Sequence, residues 1–237
     1  MALFEIGKIF VGNNVEGQME SVAALRTGKN KDKNHYKDER NFDVMDIKKD
    51  LFTVLQSYTI NTNSVQILSF SDFGNENLPN YYHPYKSAIL KIGKNVIGYF
   101  GELHPILNKK LDVKGRINIF ELFLNKLLIT NQKSKNKAFV KSDFQVVNRD
   151  FAFILDKKVQ VGNLVKLVKN TNQELINEVS IFDIYEGDNI ENGKKSIAFN
   201  VEIVPKLKTL TSLEIDEISN EIINVVTEKL SGVLRDK

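Results

Sequence analysis

The sequence predicts an α+β protein in two parts: an antiparallel-sheet module over residues 1–130, then a ferredoxin-like βαββαβ domain over residues 143–237. Three observations predict it. From Phe151 onward the apolar period switches between two and 3.6 in the order β-α-β-β-α-β, the split βαβ arrangement. Before Leu124, short strand-like runs recur between turn residues. Between the halves, "TNQKSKNKAFVKS" (Thr130–Ser142) is rich in lysine and asparagine and has no apolar period, so residues 131–142 read as a linker.

The first part opens with strands at Leu3–Val11 and Val22–Arg26, joined by the polar loop "GNNVEGQME". Asn30–Arg40 is charged, mixed in sign and reads as a solvated loop. Asp46 then precedes Ile47, Leu51, Val54, Leu55 and Tyr58, spaced as one face of an amphipathic helix. Strands follow at Ser64–Phe70 and Ala88–Ile92, and Gly93-Lys94-Asn95 turns the chain into another at Val96–Glu102. "HPILNKKL" is a short helix with Pro105 in its first turn, and Arg116–Leu124 is a strand.

In the second part Phe151, Phe153 and Leu155 mark a strand, and Val161, Leu164, Val165 and Val168 a helical stripe. Ile181 to Ile203 is a hairpin. Ile181, Asp183 and Tyr185 are expected on one face of its first strand, with Phe182, Ile184 and Glu186 on the other. Ile197, Phe199, Val201 and Ile203 line the buried face of its second strand. Thr211 and Glu214 form a capping box, opening a helix that carries Ile215, Ile218, Ile222, Val225 and Val226. "GVLR" closes the sheet.

Of the 237 residues, 42% are hydrophobic and 27% charged, the composition of a folded soluble protein. Net charge is only +3, so a nucleic-acid site must come from local arrangement. Cysteine is absent, which excludes disulfides and cysteine-held metal. No run approaches the roughly twenty apolar residues of a membrane span, and no signal-peptide pattern is present, so the expected location is cytoplasmic. The start runs straight into strand-like residues, as an excised fragment would.

No phosphate loop, GxGxxG, HExxH or GxSxG motif occurs, and no catalytic residue is assigned. His35, His83 and His104 lack metal-ligand spacing; His83 is read on a loop and His104 at a helix start, so no metal site is expected. Asp43, Asp46 and Asp50 suit helix capping and first-turn charge. A richer set is Arg149-Asp150 at the start of a central strand, beside strands carrying Tyr185 and Ser196, with lysines close by. Single-stranded RNA is held by stacking bases on aromatic faces and by polar groups at base edges. The same residues also suit a solvated rim of the core, with Arg149-Asp150 as an ion pair at the sheet's end.

The residues carry a family resemblance. "FQVVNRDFAFIL", "IFDIYEG", "NGKKSIAFNVEI", "KTLTSLEI" and "GVLR" resemble, in order, the motifs of the ferredoxin-fold anticodon-binding domain of bacterial phenylalanyl-tRNA synthetase β subunits. "LFEIGKIF", "MDIKKDL", "HPYKSA", "IGYFGELHP" and "INIFEL" resemble the class II synthetase-like module directly upstream in that family. The likeness spans nearly the whole chain. Where the family has F-P and H-P-G-R-S, this sequence has Phe144-Gln145 and His83-Pro84-Tyr85-Lys86-Ser87.

The resemblance implies a C-terminal fragment of a β subunit, with a non-catalytic class II synthetase-like module at residues 1–130. It implies that this module packs on the catalytic α subunit, in a heterotetramer of two α and two β chains. ATP and Mg would be used by the holoenzyme and not bound by this fragment. The implied partner is tRNA-Phe, whose first anticodon base would stack on Tyr185. Arg149, Asp150, Ala152 and Ser196 would line the same pocket, with Asp183 and Lys195 adjacent. Two alternatives share the topology: a generic single-stranded RNA-binding module and a small-molecule-binding regulatory domain.

Overall fold

The computed structural model describes residues 1–11, 17–33, 35–36, 39–70, 79–130 and 144–235. The expected linker lies outside the described residues. The chain divides into two compact units, Met1–Lys137 and Ala138–Lys237.

In the first unit, strands β1 (Ala2–Phe10) and β2 (Gln18–Thr27) form a hairpin. Helix α1 (Val44–Ser57) follows, then β3 (Val65–Ser69), β4 (Tyr82–Ile92) and β5 (Asn95–Leu103). Helix α2 (Pro105–Lys110), β6 (Ile117–Phe123) and α3 (Leu124–Thr130) complete it. The sheet order is β1-β2-β6-β5-β4-β3, with every neighbouring pair antiparallel. The stripe Ile47, Leu51 and Leu55 of α1 is fully buried against Val22, Leu90, Ile97, Phe120 and Leu122.

The three aspartates act as capping and pairing groups. Asp43 is the N-cap of α1 and forms a reciprocal capping box with Asp46. The Arg40 guanidinium donates to both Asp46 oxygens, at 2.6 and 2.7 Å, and holds that carboxyl at about 2. Asp50 pairs with Arg26.

Three boundaries differ from expectation. β2 takes in Gln18, Met19 and Glu20 from the expected loop, because Phe10, Ile9 and Lys8 pair with them. β4 begins at Tyr82, so His83 lies in a strand and not a loop; a register shift between Tyr82 and Ser87 breaks the alternation of a regular strand. Helix α3 begins at Leu124, read as the end of a strand, and continues through residues to which the sequence reading gives no element. It buries Leu124 and Leu127, but seven residues are too few to show a period. His104 is the N-cap of α2, its Nδ1 accepting from the Ile106 N–H.

The second unit runs β7 (Val147–Asp156), α4 (Val161–Thr171), β8 (Ile176–Tyr185), β9 (Lys194–Ile203), α5 (Ser212–Leu230) and β10 (Val233–Leu234). Its sheet order, β10-β7-β9-β8, is that of the ferredoxin-like fold. Leu164 and Val168 of α4 and Ile218, Ile222 and Val226 of α5 pack on Phe151, Phe153, Ile197, Phe199 and Val201. Both helices therefore cover one face, and among the described residues of this unit no element covers the other, bare face. Gly232 fits where a Cβ would stand 2.8 Å from Leu155 and 2.9 Å from Val226, which brings the closing strand tight against the core.

Candidate nucleic-acid interface

Antiparallel partners share a face, so the register decides which side chains the bare face presents. Opposite Ala152 of β7 stands Ala198 of β9, and opposite Ala198 stands Asp183 of β8. The neighbouring row holds Ile154, Ser196 and Tyr185, and the next on the other side holds Asp150, Asn200 and Ser180. Two alanines thus make a low floor, with Tyr185 in the row on one flank. Asp150 accepts a hydrogen bond from Asn200 Nδ2 at 2.8 Å. Ser196 is almost covered, at 4% exposure, while Tyr185 is 38% exposed.

The face of β8 depends on a bulge. Ile181 pairs with Phe199 but Asp183 pairs with Ala198, which leaves Phe182 as an extra residue. That insertion inverts the alternation. Ile181 joins the helix-covered side, while Asp183 and Tyr185 turn to the bare face. Phe182 and Ile184 are 61% and 49% exposed.

The structure brings together Tyr185, Ser196, Ala152, Asp150 and Asp183. It places Arg149 and Lys195 elsewhere. Arg149 pairs with the core residue Val201, leaves the sheet on the helix side and reaches within 4.0 Å of Asp216 on α5. Lys195 pairs with buried Leu155, and its Nζ donates to the Lys157 carbonyl at 3.0 Å. Other lysines near the tyrosine are engaged by carboxylates: Lys157 with Glu186 at 2.9 Å and Lys194 with Glu191 at 2.6 Å.

Ala198, Asn200 and Arg235 are among the residues of the face that carry no assignment from the sequence. The first two follow from the alternation of β9 once Ile197 and Phe199 are assigned inward. Arg235 does not, because its place is set by tertiary pairing. Its N–H donates to the Ala152 carbonyl at 2.8 Å, and its Nη1 reaches Ser196 Oγ at 3.5 Å.

Gly187 fixes the tyrosine. A Cβ there would lie 2.2 Å from the Tyr185 hydroxyl oxygen and 2.5 Å from its Cζ, so the ring lies across the glycine. Gly187→Ala is therefore expected to displace the ring while leaving the sheet intact. The NMR shifts of the Tyr185 ring should move, with the amide spectrum of β7 and β9 unchanged. An unmoved ring would show that the glycine does not set its pose.

A second surface belongs to the first unit. Phe4, Ile6, Phe10 and Val11 of the edge strand and its end are each more than 60% exposed. A groove of about 450 Å³ runs beside them, lined by Phe4, Ile6, Val22, Val54, Tyr58 and Leu124 among others. Among the described residues, no helix is long and apolar enough to cross a membrane.

Comparison with known proteins agrees with this architecture. Residues 142–235 match the family described as the ferredoxin-fold anticodon binding domain, and residues 1–124 that described as the phenylalanyl tRNA synthetase beta chain CLM domain. The phenylalanine–tRNA ligase beta subunit of Ehrlichia canis (strain Jake) is 40% identical across 99% of this chain and 29% of its own length. That of Rickettsia prowazekii (strain Madrid E) is 34% identical across 100% of this chain and 28% of its own length. The chain thus spans under a third of the curated relatives it matches. A solved pyrrolysyl tRNA synthetase from Desulfitobacterium hafniense is a distant likeness, 12% identical with a TM-score of 0.39 over 56% of this chain and 42% of that one. With more than half of its residues inside the CLM match and most of the remainder inside the anticodon-binding match, the chain belongs to the phenylalanyl tRNA synthetase beta chain family.

Proposed function

We propose that this chain is part of a phenylalanine–tRNA ligase beta subunit that holds the anticodon loop of tRNA-Phe on the bare sheet face of its second unit. The observation that carries this is the grouping on one face of Tyr185, Ser196, Asp183 and Asp150 around the Ala152–Ala198 floor. A base stacks on the ring, the small floor lets it approach the backbone, and the carboxylates and hydroxyl meet its edge. The first unit contributes no catalysis. Its exposed apolar strand β1 supports a packing role against a catalytic alpha subunit, since contiguous exposed apolar surface marks a protein interface. The working assembly is two alpha and two beta chains in the cytoplasm. ATP and Mg serve aminoacylation on alpha, and this chain binds neither.

The test is binding of tRNA-Phe transcript against the same transcript with its anticodon replaced. Replacement should weaken binding by about tenfold or more, the scale of discrimination carried by polar groups that meet a base edge. Equal affinity for both would leave a generic RNA module. Affinity for neither, together with binding of a small molecule, would leave a regulatory domain.

A further inference from the structure

We infer that Arg235 is the second wall of the base-binding slot, so that one nucleobase is held between its guanidinium plane and the Tyr185 ring. The inference rests on the anticodon-loop reading and deepens it. Ser196 and Tyr185 face each other across neighbouring strands, about 4.8 Å apart. From the far edge of the sheet Arg235 reaches inward over β7, bringing Nη1 to 3.5 Å from the Ser196 hydroxyl. Arg235 therefore comes to the nearly covered Ser196 hydroxyl from the β7 side, and Tyr185 stands on the strand at its other side.

The backbone of Arg235 is pinned by its N–H bond to Ala152, so the side chain starts from a fixed point at the floor's edge. Its single bond to Ser196 is long, which lets the guanidinium slide aside and close again over an inserted base. In the row beside Ser196, Ala152 and Ala198 offer no side chain beyond Cβ, so a base can settle to the depth of the sheet. Guanidinium planes stack on bases as aromatic rings do, whereas an ammonium group does not. An arginine that only met phosphate would serve as well as a lysine and would ignore the base.

The experiment uses the 237-residue chain and the tRNA-Phe anticodon stem-loop, intact and abasic at its first anticodon position. Arg235→Ala and Arg235→Lys should each weaken the intact loop about tenfold. Against the abasic loop, parent and both variants should agree within about twofold. Arg235→Lys binding like the parent would overturn the inference, as would Arg235→Ala weakening the abasic loop as much as the intact one. Tyr185→Ala, measured alongside, separates the two levels. If it weakens the intact loop while both Arg235 variants bind like the parent, the anticodon-loop reading stands and the second wall falls. If it has no effect, the reading and the inference fall together.

Discussion

Phe153→Ala is expected to cost the second unit about 3–5 kcal/mol, the loss typical of a large aromatic removed from a packed core. Phe153 is fully buried in the central part of β7, its ring stacked on Phe199 with centroids 5.9 Å apart and planes 12° from parallel. It also closes the series Phe151–Phe199–Phe153, which joins β7 to β9 beneath both helices. Neighbouring side chains are held by two strands and two helices and cannot collapse into the space. Against a total stability of about 5–15 kcal/mol, such a loss leaves the sheet marginal. Hydrogen exchange of amides in residues 144–235 should accelerate across β7 and β9 together, and stem-loop binding should fall with it. Protection equal to the parent's would show that the aromatic series does not hold the bare face in register.

Much of this was legible in the residues. The ferredoxin-like order follows from Phe151, Phe153 and Leu155 alternating in β7, the 3.6-period stripes of the two helices and the Thr211–Glu214 capping box. Each is a local pattern tied to one backbone geometry. The exposed side of the sheet was legible only in part. Alternation alone puts Arg149, two residues before Phe151, on the helix side, so the signal against it as a face residue was present. The family motif implies Arg149 together with Asp150, although adjacent residues of a strand point to opposite faces. The bulge at Phe182 left no mark, because nothing local distinguishes a strand that carries an extra residue from one that does not. Asp183 and Tyr185 keep a common face only because both lie beyond it, while Ile181 lies before it. Arg235 was invisible for a different reason. Two strand residues, Val233 and Leu234, set its position through pairing with Ile154 and Phe153, some eighty residues away. Long-range register of this kind has no periodic trace.

Tyr185→Ala has the largest expected effect on binding, about 1–3 kcal/mol, because it removes the aromatic face against which a base would stack. The substitution should leave the fold intact. Tyr185 ends the edge strand β8 and is 38% exposed, and its closest described packing is the ring lying across Gly187, outside the core. Stacking is tolerant of base identity, so the loss should appear for every base at the first anticodon position; discrimination among bases should persist through Asp183, Asp150 and Ser196. The direct measurement is equilibrium binding of the tRNA-Phe anticodon stem-loop to the parent chain and to Tyr185→Ala, with circular dichroism confirming that both are folded. The bare-face account predicts that the folded variant binds the loop about tenfold or more weakly. A folded Tyr185→Ala chain that binds the loop as tightly as the parent would contradict it and return Tyr185 to the rim of the core.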